Sequence, residues 1–151
     1  MLSMSETTLP YARSFRELIV DRRQRELARR VFEVSKAFPR EEAYSLTDQV
    51  RRASRSIGAQ IAEAWAKRDY ERHFLSKLTD ADAEQNETQH WIETARDCLY
   101  LSAEHSVELL GLCHEIGRML RSMKDHSADF CPNDSTRIRE TSDFFTAPTA
   151  H

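Results

Sequence analysis

The side chains best placed to do chemistry stand on one stretch, Glu84-Gln-Asn-Glu87-Thr-Gln-His90. Glu-x-x-His sets a carboxylate and an imidazole one helical turn apart on the same face. That is one third of the ligands of a carboxylate-bridged dinuclear site, which needs a second Glu-x-x-His and one more Glu from each of two further helices. Glu87 and His90 form the chain's one such pair, and His114-Glu115 lacks the spacing. A lone match arises by chance in a glutamate-rich helix, so no metal and no other cofactor is expected. Glu63, Glu84 and Glu87 each fall near an interior or interface edge of a helix. A buried carboxylate must be paired or hydrogen-bonded, and Arg51, Arg52 or Arg55 of a neighbouring helix is a suitable partner. General acid–base work would also want a concave pocket and a second titratable group. The chain is therefore expected to have no catalytic residues and not to be an enzyme.

Cys98, Cys113 and Cys131 are an odd, widely spaced set without the pairs of a zinc or disulfide framework. Cys98 and Cys113 sit in helical apolar patterns and read as small core residues rather than nucleophiles. His73, His90, His105, His114 and His126 are scattered and read as surface or interface histidines. No phosphate loop, nucleotide fingerprint or Ser/His/Asp set is present.

A nucleic-acid contact, where there is one, would use Arg51, Arg52 and Arg55, with Arg22, Arg23 and Arg25 of the preceding helix. In a ring of subunits, weak phosphate contacts repeat and add by avidity. Aromatic interleaving for base stacking is missing, which leaves recognition to shape and charge. Residues 10–38 carry a net charge of +4, residues 46–68 of +3 and residues 69–100 of −5. Such segments attract one another within or between subunits, and a basic surface for a polyanion is the alternative use of the same charges.

The stretch Leu46–Arg68 is the element that orders the rest. Leu46, Val50, Ala53, Ile57, Ile61 and Ala64 mark one helix face. The opposite face carries Gly58, Ala59, Ala62 and Ala66, with Trp65 at its edge. A solvated helix back is normally long and charged, so this face is the expected oligomer interface. Helix one is predicted over Phe15–Phe38, opened by Ser14 and ended by Pro39. Its stripe breaks at Asp21-Arg-Arg-Gln-Arg-Glu26, where either those turns are exposed or Gln24 takes a core position. Helix three is predicted over Tyr70–Leu101, with Phe74, Leu75, Leu78, Ala81, Ile92, Ala95 and Leu99 inward and a polar waist at Gln85 and Thr88 or Gln89. Helix four is predicted over Ala103–Lys124, carrying Val107, Leu110, Ile116, Leu120 and Met123. Residues 1–13 read as a loose lead-in, 14–126 as the helical domain and 127–151 as a mostly irregular tail, with Phe144-Phe145 a docking point. No internal repeat is evident.

At 151 residues, one domain with its own core is expected. Three glycines and four prolines leave little material for turns, which suits long helices. A formal net charge of −3 gives the whole chain no strong pull on nucleic acid or acidic membranes. No apolar run approaches the roughly 20 residues of a membrane span, and the N-terminus lacks a signal-peptide pattern. A cytoplasmic location without membrane partners is expected.

At helices two and three the residues resemble a known family. Phe15-Arg-Glu-Leu18, the Phe38-Pro39 stop with Glu41-Glu42, Leu46-Thr-Asp-Gln-Val-Arg-Arg-Ala53, Ser56-Ile57 and Ile61-Ala-Glu63 resemble the "four helix bundle protein" family. It includes proteins encoded in intervening sequences of bacterial large-subunit ribosomal RNA genes. Glu87-Thr-Gln89, Trp91-Ile92, Tyr100-Leu101 and Glu115-Ile116-Gly117-Arg118-Met119-Leu120 are similar too, so the likeness spans about residues 14–123. It implies an all-α, antiparallel, left-handed up-down-up-down four-helix bundle, assembled as a homopentamer in the cytosol. A related group, the accessory proteins of diversity-generating retroelements, is pentameric, markedly basic, and binds nucleic acid and a reverse transcriptase. This chain departs from the patterns at Asp21, where an aromatic is frequent, and at Ala64, where a glycine is expected; its overall acidity argues against the retroelement role. The function expected is a non-enzymatic, homo-oligomeric binding or scaffold protein contacting structured RNA or a ribonucleoprotein. The alternative is a protein–protein adaptor with no nucleic-acid role.

Overall fold

The computed structural model describes residues 12–132, and every element among them is helical. Ser14 does accept a bond from the Arg16 amide at 3.1 Å, but the turn it caps is a single 3-10 turn, Phe15–Glu17. Leu18 then lies extended, and α1 runs over Ile19–Ser35. The predicted helix Phe15–Phe38 is therefore shorter at both ends. At the far end the amides of Lys36, Ala37 and Phe38 reach back three residues, tightening the chain. Pro39 ends it, because it has no amide hydrogen and disfavours helical backbone in the residue before it.

A 3-10 turn (Arg40–Glu42) and a π-type turn (Ala43–Thr47) lead into α2, Asp48–Ala66. Two long elements and a short one follow α2 and complete the described chain: α3 (Glu71–Asp97), α4 (Ala103–Asp125) and the one-turn α5 (Ser127–Phe130). The α3–α4 connection is a left-handed helix stop. The Tyr100 amide bonds Ala95 O and the Leu99 amide bonds Arg96 O, each at 2.9 Å, with Leu99 at φ 63°. Glycine usually takes that position because it has no Cβ to clash. Ser102 then caps α4 by accepting from the His105 amide at 3.1 Å.

The core collects Leu27 and Val31 of α1, Ile57 and Ile61 of α2, Phe74, Leu78 and Ile92 of α3, and Ile116 and Leu120 of α4, all essentially inaccessible. Each such side chain contributes roughly 1.5–3 kcal/mol by leaving water. The predicted α2 face, Leu46 to Ala64, is buried at every position named. Of the two readings of the broken α1 stripe, the second holds. Gln24 is in the core, and Asp21 beside it is only 1% exposed. The polar waist of α3 is likewise interior, with Gln85 and Thr88 buried.

Three inward assignments are corrected. Leu99 is 90% exposed because it lies beyond the last turn of α3 in the left-handed position. Cys98 is exposed for the same reason, as the residue that ends that helix. Val107 is 71% exposed because the inner face of α4 runs through Ser106, Leu109 and Cys113 instead. Burial of Ser106 is affordable to the fold, since its hydroxyl donates to Ser102 O at 2.8 Å.

Helix α1 packs on α2 and α4, and α3 packs on α2 and α4. Arg51 Nε of α2 donates to Ser35 Oγ of α1 at 2.7 Å. Arg52 pairs with Glu87 at 3.0 Å and Lys77 with Glu63 at 2.8 Å, joining α2 to α3. Arg23 pairs with Glu115 at 3.1 Å and Arg30 with Glu108 at 3.9 Å, joining α1 to α4. Phe130 stacks on Phe74 at 5.7 Å between centroids, which ties α5, inside the stretch read as a mostly irregular tail, to the start of α3. Phe144-Phe145 lies outside the described residues.

Candidate interaction surface on α1 and α2

Of the predicted interface residues of α2, Gly58, Ala59 and Ala62 sit along an open groove of about 460 Å³ between α1 and α2, whereas Trp65 and Ala66 lie beyond it. Ala28 of α1 and Ala59 and Ala62 of α2 line it, with Gly58 at its floor. Ala59 and Ala66 are exposed and Ala62 half-buried. Gly58 has a reason within the subunit. A Cβ there would lie 2.5 Å from the amide carbon and oxygen of Gln24, so its bareness makes room for that side chain. Trp65 packs against the core with its outer face covered by Arg68, whose guanidinium lies 3.5 Å from the ring centroid.

The groove holds one deeply set charge. Asp21 Oδ1 accepts from Gln24 Nε2 at 3.2 Å and Oδ2 from Arg25 Nε at 2.9 Å. Both oxygens are thus satisfied from within α1, as a buried carboxylate requires.

The three candidate nucleic-acid contacts do not form one patch. The guanidinium of Arg51 lies over the Phe32 ring at 4.8 Å and that of Arg55 at 5.7 Å, so these two share the α1 side. Arg52 turns to the other side of α2 and is engaged with Glu87. Successive residues on a helix point about 100° apart, and here that rotation sends neighbours to different helices.

Of the carboxylates singled out, Glu87 takes an arginine partner, whereas Glu63 is half-exposed and paired with Lys77. Glu84 has one buried oxygen without a hydrogen-bond partner. Its burial, then its contact with and the charge of Glu87, push its carboxyl above the ordinary range. For Glu87, burial works against ionisation but is outweighed by hydrogen bonds from Glu84, Trp91 and Arg52 and the Arg52 charge, so its value is lowered. The two neighbouring carboxyls are thus pushed in opposite directions, Glu84 up and Glu87 down. His90 is turned onto Trp91, with ring centroids 4.7 Å apart. No group of three metal-ligating side chains occurs among the described residues. Cys113 is sealed in the core and its thiol is pushed up to about 12 by burial.

Four long helices packed on one core, with no strand among the described residues, define a class, that of helical bundle-like proteins. Within it, the chain belongs to the 23S rRNA-intervening sequence protein family, whose model matches residues 16–122. It is also similar to a crystal structure of a protein of unknown function from the S23 ribosomal protein family of Bacteroides thetaiotaomicron VPI-5482. The two are 29% identical with a TM-score of 0.65, over 71% of this chain and 96% of that one. No curated protein matches the chain. The family resemblance read from the helix-two and helix-three residues is therefore correct. No helix among the described residues is long and apolar enough to cross a membrane.

Proposed function

We propose that this protein is a non-enzymatic, cytoplasmic scaffold that assembles with itself, as a pentamer by first choice, and contacts structured RNA or a ribonucleoprotein. The observation that carries the self-assembly is the strip of small residues in the α1–α2 groove, Ala28, Gly58, Ala59 and Ala62, which runs between the longer side chains of Arg25 and Arg55. Small residues let a second backbone approach closely. The same reading takes the four long helices as an antiparallel up-down-up-down bundle. The pairings support it, because partner numbers fall as helix numbers rise: Arg23 to Glu115 and Arg30 to Glu108, Arg52 to Glu87 and Glu63 to Lys77. The RNA contact is supported by the family's name and by the ribosomal-protein family of the similar structure.

Ala62→Arg should split the assembly, read as a drop in mass by light scattering; an unchanged mass refutes the groove as the interface. Labelled structured RNA, titrated by fluorescence anisotropy at about 50 and about 200 mM salt, should bind with a steep loss at the higher salt. A protein–protein adaptor is the second reading, favoured by the formal net charge of −3. Absence of RNA binding at the lower salt would select it.

A further inference from the structure

The hairpin α1–α2 and the hairpin α3–α4 are built on one frame. At an offset of 61 residues, Asp21 and Gln24 of α1 correspond to Asp82 and Gln85 of α3. At an offset of 59, Ile57, Gly58 and Ile61 of α2 correspond to Ile116, Gly117 and Leu120 of α4. The remaining buried α2 residues, Val50, Ala53, Ser54 and Ala64, map onto Leu109, Leu112, Cys113 and Met123, all buried. The local chemistry is repeated as well. Gln24 Nε2 donates to Asp21 Oδ1 at 3.2 Å, and Gln85 Nε2 to Asp82 Oδ1 at 3.0 Å. Each glutamine lies over the glycine of the next helix; a Cβ on Gly117 would stand 3.0 Å from Gln85 Nε2.

The frame therefore produces two grooves, one of about 460 Å³ on α1–α2 and one of about 430 Å³ on α3–α4. Their linings have diverged at matching positions. Where the first groove has Ala28, Ala59 and Ala62, the second has Gln89, Arg118 and Arg121, and His114 stands at the place of Arg55. A helix that could approach the alanines is held off by the arginines. Arg118 and Arg121 are three residues apart on one helix face, both exposed, and neither has an ion-pair partner among the described residues. Glu115, half-buried on the same helix, is engaged with Arg23 of α1. Asp82 is the one carboxylate of the lining, and it holds Gln85. Gln89 Nε2 donates to Gln85 Oε1, and Asn86 Nδ2 to Asp82 O at 2.9 Å, so both amides that line the groove keep their carbonyl oxygens as acceptors.

We propose that the α3–α4 groove is the nucleic-acid-binding site of the protein, its phosphodiester backbone held by Arg118 and Arg121 and its base edges by the amides of Asn86 and Gln89. The assignment rests on the RNA reading above and moves the contact away from Arg51, Arg52 and Arg55. Two guanidinium groups on one helix face suit adjacent phosphates, and Asn, Gln and Arg are the side chains that read base edges.

The test uses the full chain and a fluorescein-labelled RNA hairpin of about twenty nucleotides, titrated by anisotropy at about 50 and about 200 mM salt. Arg118→Glu/Arg121→Glu should weaken binding at least tenfold and flatten the log–log salt slope by about 1.5, close to the loss of two phosphate contacts. Both residues are exposed, so the circular dichroism and the scattering mass should stay as in the wild type, and Arg118→Lys/Arg121→Lys should keep most of the affinity. Arg55→Glu, at the place of His114 in the first groove, should bind like the wild type. If Arg55→Glu loses binding and the double variant does not, the α3–α4 site is overturned while the RNA reading stands. If the wild type binds no RNA at the lower salt, both fall. If unlabelled poly-glutamate displaces the RNA at equal phosphate and carboxylate concentration, the groove is a site for acidic polypeptide and the assignment to nucleic acid is wrong.

Discussion

The three glycines make a graded test of how closely the helices approach. All three lie within α2 or α4, where glycine costs about 1 kcal/mol relative to alanine in an open position. Around Gly111 no atom stands within 4 Å of where a Cβ would be, so Gly111→Ala should stabilise by about 1 kcal/mol. At Gly117 the new Cβ would stand 3.0 Å from Gln85 Nε2. That amide must give by a few tenths of an ångström, and the strain should cancel most of the gain. At Gly58 the Cβ would lie 2.5 Å from the Gln24 amide carbon. The glutamine must turn away, although it is buried and bonded to a buried Asp21. Overpacking of this kind costs about 1–3 kcal/mol, and a lost hydrogen bond to a charged group about 1.5–3 kcal/mol. Against the gain in helix propensity, Gly58→Ala should destabilise by about 2–4 kcal/mol. Urea unfolding at one fixed protein concentration reads all three, since assembly makes stability concentration-dependent. The cause is checked in a Gln24→Ala background, where Gly58→Ala should revert to mildly stabilising. Gly58→Ala at or above wild-type stability, or an undiminished cost without Gln24, would refute the close approach of α1 to α2.

Leu99 is an exposed leucine held at φ 63°, a conformation that costs an L side chain roughly 1–2 kcal/mol. Leu99→Gly should raise the unfolding free energy by about 1 kcal/mol, and a loss would mean that the side chain has a partner outside the described residues. The raised carboxyl of Glu84 has a definite sign. An acid whose folded pKa lies above its unfolded value favours the folded state fully below the unfolded value, 4.5 for glutamate, and loses that contribution as pH rises through the folded value. Glu63 and Glu87, both lowered, act in the opposite sense, their contributions being present above 4.5 and lost on acidification. Glu84→Gln keeps a donor toward Glu87 without the ionisation, so its urea midpoint should gain on the wild type between pH 4 and pH 7. A difference between the two proteins that does not change with pH would refute the raised carboxyl of Glu84.

Helix α2 was the most readable part of the chain, and the reason is geometric. Its inner positions are all apolar, so period and burial agree from Leu46 to Ala64. In α1 and α3 the stripe is interrupted by Asp21, Gln24, Gln85 and Thr88, which are buried because each finds a partner one turn away: Gln24 on Asp21, Gln85 on Asp82, Thr88 on Glu84 O. Periodicity counts apolar side chains and does not register a polar group satisfied within its own helix. The misplacement of Val107 has the same root, since the serine that takes the inner position of that turn bonds Ser102 O. Ends of helices failed for another reason, as the left-handed Leu99 sits where glycine is the usual signal.

The second groove went unread because a repeat of this kind lives in pair relations rather than in identities. Asp-x-x-Gln-x-Glu occurs at Asp21–Glu26 and again at Asp82–Glu87, and Ile-Gly at Ile57 and Ile116. Neither fragment signifies alone, and their spacing in sequence says nothing until each glutamine is seen above its glycine. That contact sets the register of each hairpin, strictly at Gly58, where a Cβ would overlap the buried amide, and more loosely at Gly117, where it would crowd it. Once two hairpins share a register, the positions one and four residues beyond each glycine must border equivalent grooves. Those positions are Ala59 and Ala62 in one hairpin and Arg118 and Arg121 in the other. Side chains of such different size and charge on one frame cannot admit the same occupant. In the first groove Arg25 is held by Asp21 and the strip beside it is alanine, which suits a close-packed backbone; in the second, Arg118 and Arg121 stand on that strip, repel a backbone and attract phosphate. Ala62→Arg makes the first groove like the second, so if this division of roles is right it should both split the assembly and give RNA a second, salt-sensitive foothold.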